Sequence, residues 1–253
     1  MQDSETEKLH QKLLEEKFVY LKELNSKPLD AWRPEAEQDG IKVHSILDEK
    51  TGLKIIRAHT FFKAPAEVMV EVASEIEVIL EWDKTLETVR ALRRSKDNKT
   101  DYYIIYMITK KIPFIVQREA IILARFFYDD DGTIYGVGTS IDQHPEIEDS
   151  IYRVRAAAYL IGWVMKPDPA DPERTELTYI LNIDPKGWIP KPAFNWFVHN
   201  QGFNVKPFAE YVENRHKKNK LKAGGKKGEK PRLKQPIERQ KDEEEILSPA
   251  GKL

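Results

Sequence analysis

Cysteine is absent from all 253 residues, which excludes disulfides, thiolate metal sites and cysteine nucleophiles together and fits a reducing compartment. Also missing is any run of about 18 uncharged apolar residues, the length a membrane-spanning helix needs. The opening segment MQDSETEKLHQKLLEEK has no apolar h-region. A soluble, cytoplasmic chain is expected. The six histidines (His10, His44, His59, His144, His199, His216) are scattered without metal-ligand spacing, so no metal or cofactor is expected. Gly136-Val137-Gly138 lacks the third glycine and following helix of a dinucleotide loop, and the residues 129–132 (DDDG) lack the glutamate and length of a calcium loop. Asn98-Lys99-Thr100 reads as turn chemistry at a hairpin tip.

What is present suffices for one sizeable core. Forty per cent of the residues are hydrophobic and the length suits one α+β domain with a tail. Leu9, Leu13, Leu14, Phe18 and Leu21 recur at helical spacing and predict an amphipathic helix over about 4–24. Strands follow at 41–47 and 53–62 around a turn with Gly52, then a helix opened by Pro65 and a short helical segment to about 80. Beyond Trp82-Asp83 the period changes to two, predicting strands at 88–94, 102–109, 120–127 and 134–141. Residues 152–166 (YRVRAAAYLIGWVMK) carry apolar side chains on both parities, so both faces of that strand should be covered. A proline-broken connection, 167–174, leads to a second long run and a tight turn at Asp184-Pro185-Lys186-Gly187. Pro190 and Pro192 then open an aromatic-rich final helix. The charge is near neutral overall but uneven: 215–234 is basic and 242–245 acidic, with few apolar anchors, which predicts a disordered tail. The expected units are 1–28 (first helix), 29–215 (one domain) and 216–253 (tail). The tail reads as a solubilising linker or as a contact for anionic membrane; its lack of aromatics disfavours nucleic acid.

Trp82-Asp83 after a helix, Arg118-Glu119 at a strand start, and Gly187-Trp188-Ile189-Pro190 before the last helix occur in the order and at the spacing of the StAR-related lipid transfer (START) domain, which the chain resembles over about 29–215. The resemblance implies a helix-grip fold: a curved antiparallel sheet wrapped around a long C-terminal helix, enclosing a tunnel for one lipid. It implies transfer between membranes, with a gate formed by residues 110–117 (KKIPFIVQ) and the final helix. The phosphate-binding arginine of the phosphatidylcholine-binding members falls on Ile79, and their choline-enclosing aromatics on Met107, Ala120 and Ala157. The pocket glutamate and arginine of the sterol-binding members fall on Met107 and Ala124, or on Arg125 with a one-residue shift. A sterol or another weakly polar lipid therefore ranks ahead of phospholipid.

Alternation puts Tyr103, Ile105 and Met107 on one face of a strand and Ala120, Ile122 and Ala124 on one face of the next. From the residues alone an ordinary filled core is the plainer reading, since small side chains can interdigitate with large ones. The resemblance favours a tunnel, lined by these six together with Ala157, Tyr159, Phe194 and Val198. Ile112, Phe114 and Ile115 either fold back onto the sheet or, with Trp188 and Trp196, touch a membrane. Trp82-Asp83 and Arg118-Glu119 read as structural pairing, and no catalytic set is expected. The expected partners are a lipid and, transiently, a membrane surface, with the protein itself a peripherally associated monomer. A lipid-responsive scaffold and a helix-grip enzyme of the aromatase or cyclase kind stay open.

Overall fold

The computed structural model describes residues 2–94, 101–190 and 200–224. Among these, ten strands form one sheet: β1 (Arg33–Gln38), β2 (Ile41–Leu47), β3 (Lys54–Phe62), β4 (Leu86–Arg93), β5 (Tyr103–Thr109), β6 (Arg118–Tyr128), β7 (Ile134–Ile141), β8 (Val154–Arg155), β9 (Ala157–Asp168) and β10 (Asp171–Asp184). The α-helices are α1 (Gln2–Ser26), α2 (Ala66–Ser74), α3 (Ile79–Trp82) and α4 (Val205–Gly224). The spatial order is β1-β2-β3-β10-β9-β7-β6-β5-β4, paired antiparallel throughout, and β8 joins the start of β6 in parallel. This is the expected α+β helix-grip architecture, a curved antiparallel sheet holding the closing helix.

The two parities of the central strands meet different partners. Ile104, Tyr106, Ile121, Leu123, Leu160 and Val164 face α1, where Leu14, Leu21 and Leu24 are buried against them on the convex side. Phe18 stacks on Phe127 with ring centroids 4.3 Å apart. The helix lies so close that a Cβ at Gly162 would stand 2.4 Å from Leu21 Cδ1. Leu9, grouped with the buried stripe by its spacing, is exposed instead: at that turn Glu7 and His10 face the sheet, paired with Arg93 and Tyr102. On the concave side α2 and α4 cover β2, β3, β10 and the far half of β9, with Met69, Val72, Val205, Phe208 and Val212 buried there. Phe208 meets Trp163 at 4.9 Å and Trp82 at 5.0 Å, and Trp163 meets Tyr179 at 4.4 Å.

Four local features depart from the sequence expectation. β1 (RPEAEQ) has no apolar alternation; it is a charged, proline-bearing edge strand, the kind that resists further pairing. The run 152–166 divides: β8 pairs with β6, and after Ala156, whose N–H donates to Glu119 O, β9 pairs with β7 and β10. The prolines at 167 and 172 do not break the hairpin, which turns at Pro169-Ala170 with a register shift between Asp171 and Thr175. The final helix continues to Gly224, past the expected tail start at 216. It is held there by Glu173 of β10, which accepts from His216 Nε2 at 2.7 Å and pairs with Lys220. The expected helix opening at Pro192, the Asn98 turn and the charged tail beyond 224 lie outside the described residues.

The approach to α4 is seated by Gly202, where a Cβ would meet both γ-carbons of Val43 at 2.7 Å. Valine is stiff at χ1, so β2 cannot move its side chain aside. Gly202→Ala should lower the urea midpoint by an amount worth about 1–3 kcal/mol. An unchanged midpoint would show that the helix does not bear on β2.

Candidate functional site

The concave face under β4, β5 and β6 differs from the half filled by α4. Here Ile105 of β5 packs with Ile76 and Ile79, and around them lie Trp82, Leu86, Val89, Ala91, Tyr103, Met107 and Ala124. Every member of this group is apolar or aromatic and none carries a charge. Tyr103, Met107, Ala120, Ala124, Tyr159 and Ile161 keep partial accessibility beside buried Ile105 and Ile122, whereas the alternating residues Ile104, Tyr106, Ile121, Leu123 and Leu160 are all buried on the side that carries α1. One face of the same strands is thus closed and the other partly open. The indole Nε1 of Trp82 is buried with no hydrogen-bond partner among the described residues.

The rim of that face is built from two loops tied by one guanidinium. Residues 112–115 make a tight turn in which Ile115 N donates to Ile112 O at 3.0 Å, with Pro113 and then Phe114 at its corners. Phe114 takes φ +66°, the left-handed region that costs a non-glycine residue about 1 kcal/mol or more, and it is 94% exposed. The apolar run therefore does not fold back onto the sheet. Arg118 is buried and has no carboxylate partner among the described residues. It donates to the carbonyls of Val116, Pro185 (3.1 Å), Lys186 (2.8 Å) and Trp188 (3.3 Å). This clamps the 112–116 loop to the 184–188 turn, on which Trp188 stands exposed. Burial holds the Arg118 pKa below the usual guanidinium value.

Glu119, the neighbour of Arg118, points to the opposite side of β6 and is sealed there. Its carboxylate accepts from Tyr106 Oη at 2.5 Å, Arg153 Nε at 2.6 Å and Arg155 Nη2 at 2.9 Å. Burial pushes its pKa up, but these donors outweigh burial and hold it below the ordinary carboxylate value. Asp83 ends α3 by accepting from Thr85 N at 2.9 Å and Thr85 Oγ1 at 2.6 Å. Of the two motif pairs, Asp83, Arg118 and Glu119 are therefore engaged in the polar frame, and Trp82 joins the two concave clusters.

A sequence profile of the START domain matches residues 19–207. The chain belongs to the START domain family. Among curated relatives, the steroidogenic acute regulatory protein of Danio rerio is 27% identical over 168 residues, covering 66% of this chain and 58% of that protein. The human steroidogenic acute regulatory protein is 26% identical over 170 residues with the same coverage. The chain thus spans less than two thirds of the length of these relatives. In fold it is similar to human STARD10 (TM-score 0.67, 18% identity, 83% of each chain) and to human StAR-related lipid transfer protein 5 (TM-score 0.65, 17% identity, 86% of this chain and 99% of that one). The START match begins inside α1, whose C-terminal half carries the buried Leu21 and Leu24.

Within this START domain the structure gathers Tyr103, Ile105, Met107, Ala120, Ile122 and Ala124 on the concave side of β5 and β6. Tyr159 and Ala157 lie on β9 at an irregularity where Asn182 faces Leu160 and Ile183 faces Ala158, so alternation no longer decides the face of Ala157. Phe194, Trp196 and Val198 lie outside the described residues. Arg125, the shifted alternative for a pocket arginine, is on the convex side: it pairs with Asp101 and lies over the Phe127 ring at 4.6 Å. Sequence reasoning missed Val89 and Ala91 of β4 as members of the concave group, although their two-residue spacing carries the signal. Among the described residues no helix is long and apolar enough to cross a membrane.

Because the folded pKa of Glu119 is depressed, its contribution to stability is complete above the unfolded value of about 4.3 and is lost as pH falls through the folded value. Glu119→Gln should cost roughly 1–3 kcal/mol near neutral pH. The difference from wild type should shrink on acidification below about pH 4.3. Urea midpoints across that range check it, and a difference that stays constant would show that the carboxylate charge is not what holds Arg153 and Arg155.

Proposed function

We propose that the chain binds one lipid between the concave face of β4, β5 and β6 and the closing segment, and carries it between membranes without covalent chemistry. The observation that carries this reading is the unequal covering of the central strands: sealed by α1 on one side, apolar and partly open on the other. Leaving a bilayer costs a lipid its hydrocarbon environment, and about 25 cal/mol per Å² of apolar contact is the means of replacing it. Tyr103, Ile105, Met107, Ala120, Ile122, Ala124 and Tyr159 are the proposed wall, with Ala157, Phe194 and Val198 completing it. Family membership and the names of the relatives, a steroidogenic regulator and lipid transfer proteins, support the same reading.

A sterol or another weakly polar lipid suits this wall better than a phospholipid. Ile79 stands buried against Ile105 where a phosphate would want a cation, and Met107 and Ala124 offer a headgroup neither charge nor an aromatic cage. An enzyme would need charged groups converging on this face; Arg118 at its rim is consumed by frame hydrogen bonds, and Glu119 is turned to the opposite side of β6. The proposed gate comprises Ile112, Phe114, Ile115 and Trp188, with Trp196, opening at a membrane surface to which the protein attaches peripherally.

Ala124→Trp separates a cavity from a filled core. In a filled core the added rings would cost about 1–3 kcal/mol and leave lipid exchange untouched. In the proposed cavity they should leave the urea midpoint near wild type and abolish transfer of a fluorescent sterol between vesicles. A destabilised variant that transfers normally would contradict the proposed site.

A further inference from the structure

We propose that Ile151 and Tyr152 form a third tip of the membrane-seating surface, beside the Phe114 and Trp188 loops, so that three loops meet an anionic bilayer as one unit. This rests on the membrane exchange proposed above. Ile151 is 89% exposed and Tyr152 80%, among the most exposed large apolar side chains of the molecule. They immediately precede β8, whose parallel pairing sets Val154 against Arg118 and Arg155 against Glu119, with Val154 N donating to Gln117 O at 2.9 Å. In a parallel pair the preceding residues leave the sheet at the same end and in the same direction. Ile151 and Tyr152 are therefore brought to the end of the sheet where Phe114, Ile115 and Val116 project.

The third loop meets the same point. Gly187, at φ +62°, lies so close that a Cβ there would stand 3.2 Å from Val154 Cγ2 and 3.4 Å from Arg118 Nη2. Arg118 is hydrogen-bonded to Val116 and to the carbonyls of Pro185, Lys186 and Trp188. One buried guanidinium and one bare backbone position thus fix the spacing of the three tips. Rigid spacing matters because tips that are already ordered lose less conformational freedom on contact than free loops would.

The occupant that fits is a lipid surface. The apolar side chains stand at separate loop tips, an arrangement a fluid interface accepts one by one but a protein partner would have to match with separate pockets. Phe, Trp, Tyr and Ile are suited to the boundary between headgroups and acyl chains. Lys110, Lys111 and Lys186 are exposed around them and make no ion pair among the described residues, which favours anionic headgroups. On the approach to the third tip, Glu146 is faced by Arg90 at 3.9 Å and Asp149 by Arg155 at 3.8 Å, leaving Glu148 as the opposing charge.

The test uses the whole chain, the double variant Ile151→Ser with Tyr152→Ser, and Phe114→Gly, which removes a tip while relieving its left-handed φ. Two readouts are taken: co-sedimentation with phosphatidylcholine/phosphatidylserine vesicles, and uptake of dehydroergosterol from cyclodextrin, which needs no bilayer. The double variant should sediment roughly tenfold less, the effect of withholding one to two apolar side chains from burial, and should take up sterol as wild type does. Wild-type sedimentation by the double variant, with a fall for Phe114→Gly, would overturn the third tip and leave the first two. Loss of sterol uptake in the double variant would also overturn it, by placing the loop in the lipid wall. A double variant that dissociates a self-associated wild type in the absence of vesicles would reassign the tip to contact between copies. If wild type sediments and the double variant does not, while neither takes up sterol, the three-tip surface stands and the lipid-carrier reading falls.

Discussion

The long strands β9 and β10 carry apolar side chains on both faces, so the sheet at the centre of the molecule has to be covered twice. Helix α1 does this on the convex side over β6, β7, β9 and β10, with Leu21 packed closely over Gly162. On the concave side the covering is uneven. The aromatic group of Trp163, Tyr179, Phe208 and Trp82 fills the half beneath α4, while among the described residues Ile76, Ile79 and Trp82 pack over the half beneath β4, β5 and β6. Burial pushes the Tyr179 hydroxyl pKa up, as expected of a group inside the solid half. The two faces of the sheet are thus covered unequally, and the proposed lipid site is the less covered one.

The polar side chains serve that division. Arg118 and Glu119 are adjacent in sequence, so they project to opposite faces of β6. Glu119 gathers Tyr106, Arg153 and Arg155 and anchors the β8 segment; Arg118 gathers four carbonyls and anchors the two loops at the rim. A guanidinium satisfied by carbonyls needs no carboxylate beside it, so the two loops are tied without a buried counter-ion. The same pair therefore fixes the frame and shapes its opening.

Much of this was legible in the chain itself. The period-two runs named β5, β6 and β7 to within two residues, and the alternation within β5 and β6 grouped the residues that share a face, because alternation is local. β1 was not legible, since an edge strand of charges and proline has no buried face to write a pattern. The division at Ala156 depends on Glu119 O, 37 residues away, and the extension of α4 depends on Glu173 receiving His216 and Lys220. A run of like charges reads as solvated tail until such a distant partner is known. Arg125 could not be assigned a side until register set it over Phe127 and against Asp101. The pose of Phe114 was open for a similar reason: composition fits a folded-back loop and a projecting one equally, and the turn at Pro113 decided it. Ile151 and Tyr152 carried no signal, because an exposed apolar pair gains meaning only from what stands beside it.

The most direct measurement is native mass spectrometry of the unmodified chain after incubation with vesicles containing both cholesterol and phosphatidylcholine. The proposed lipid site on the apolar concave half predicts a population heavier by the mass of one lipid, with cholesterol favoured. A spectrum showing only the bare protein mass under the same conditions would contradict the carrier interpretation at its root.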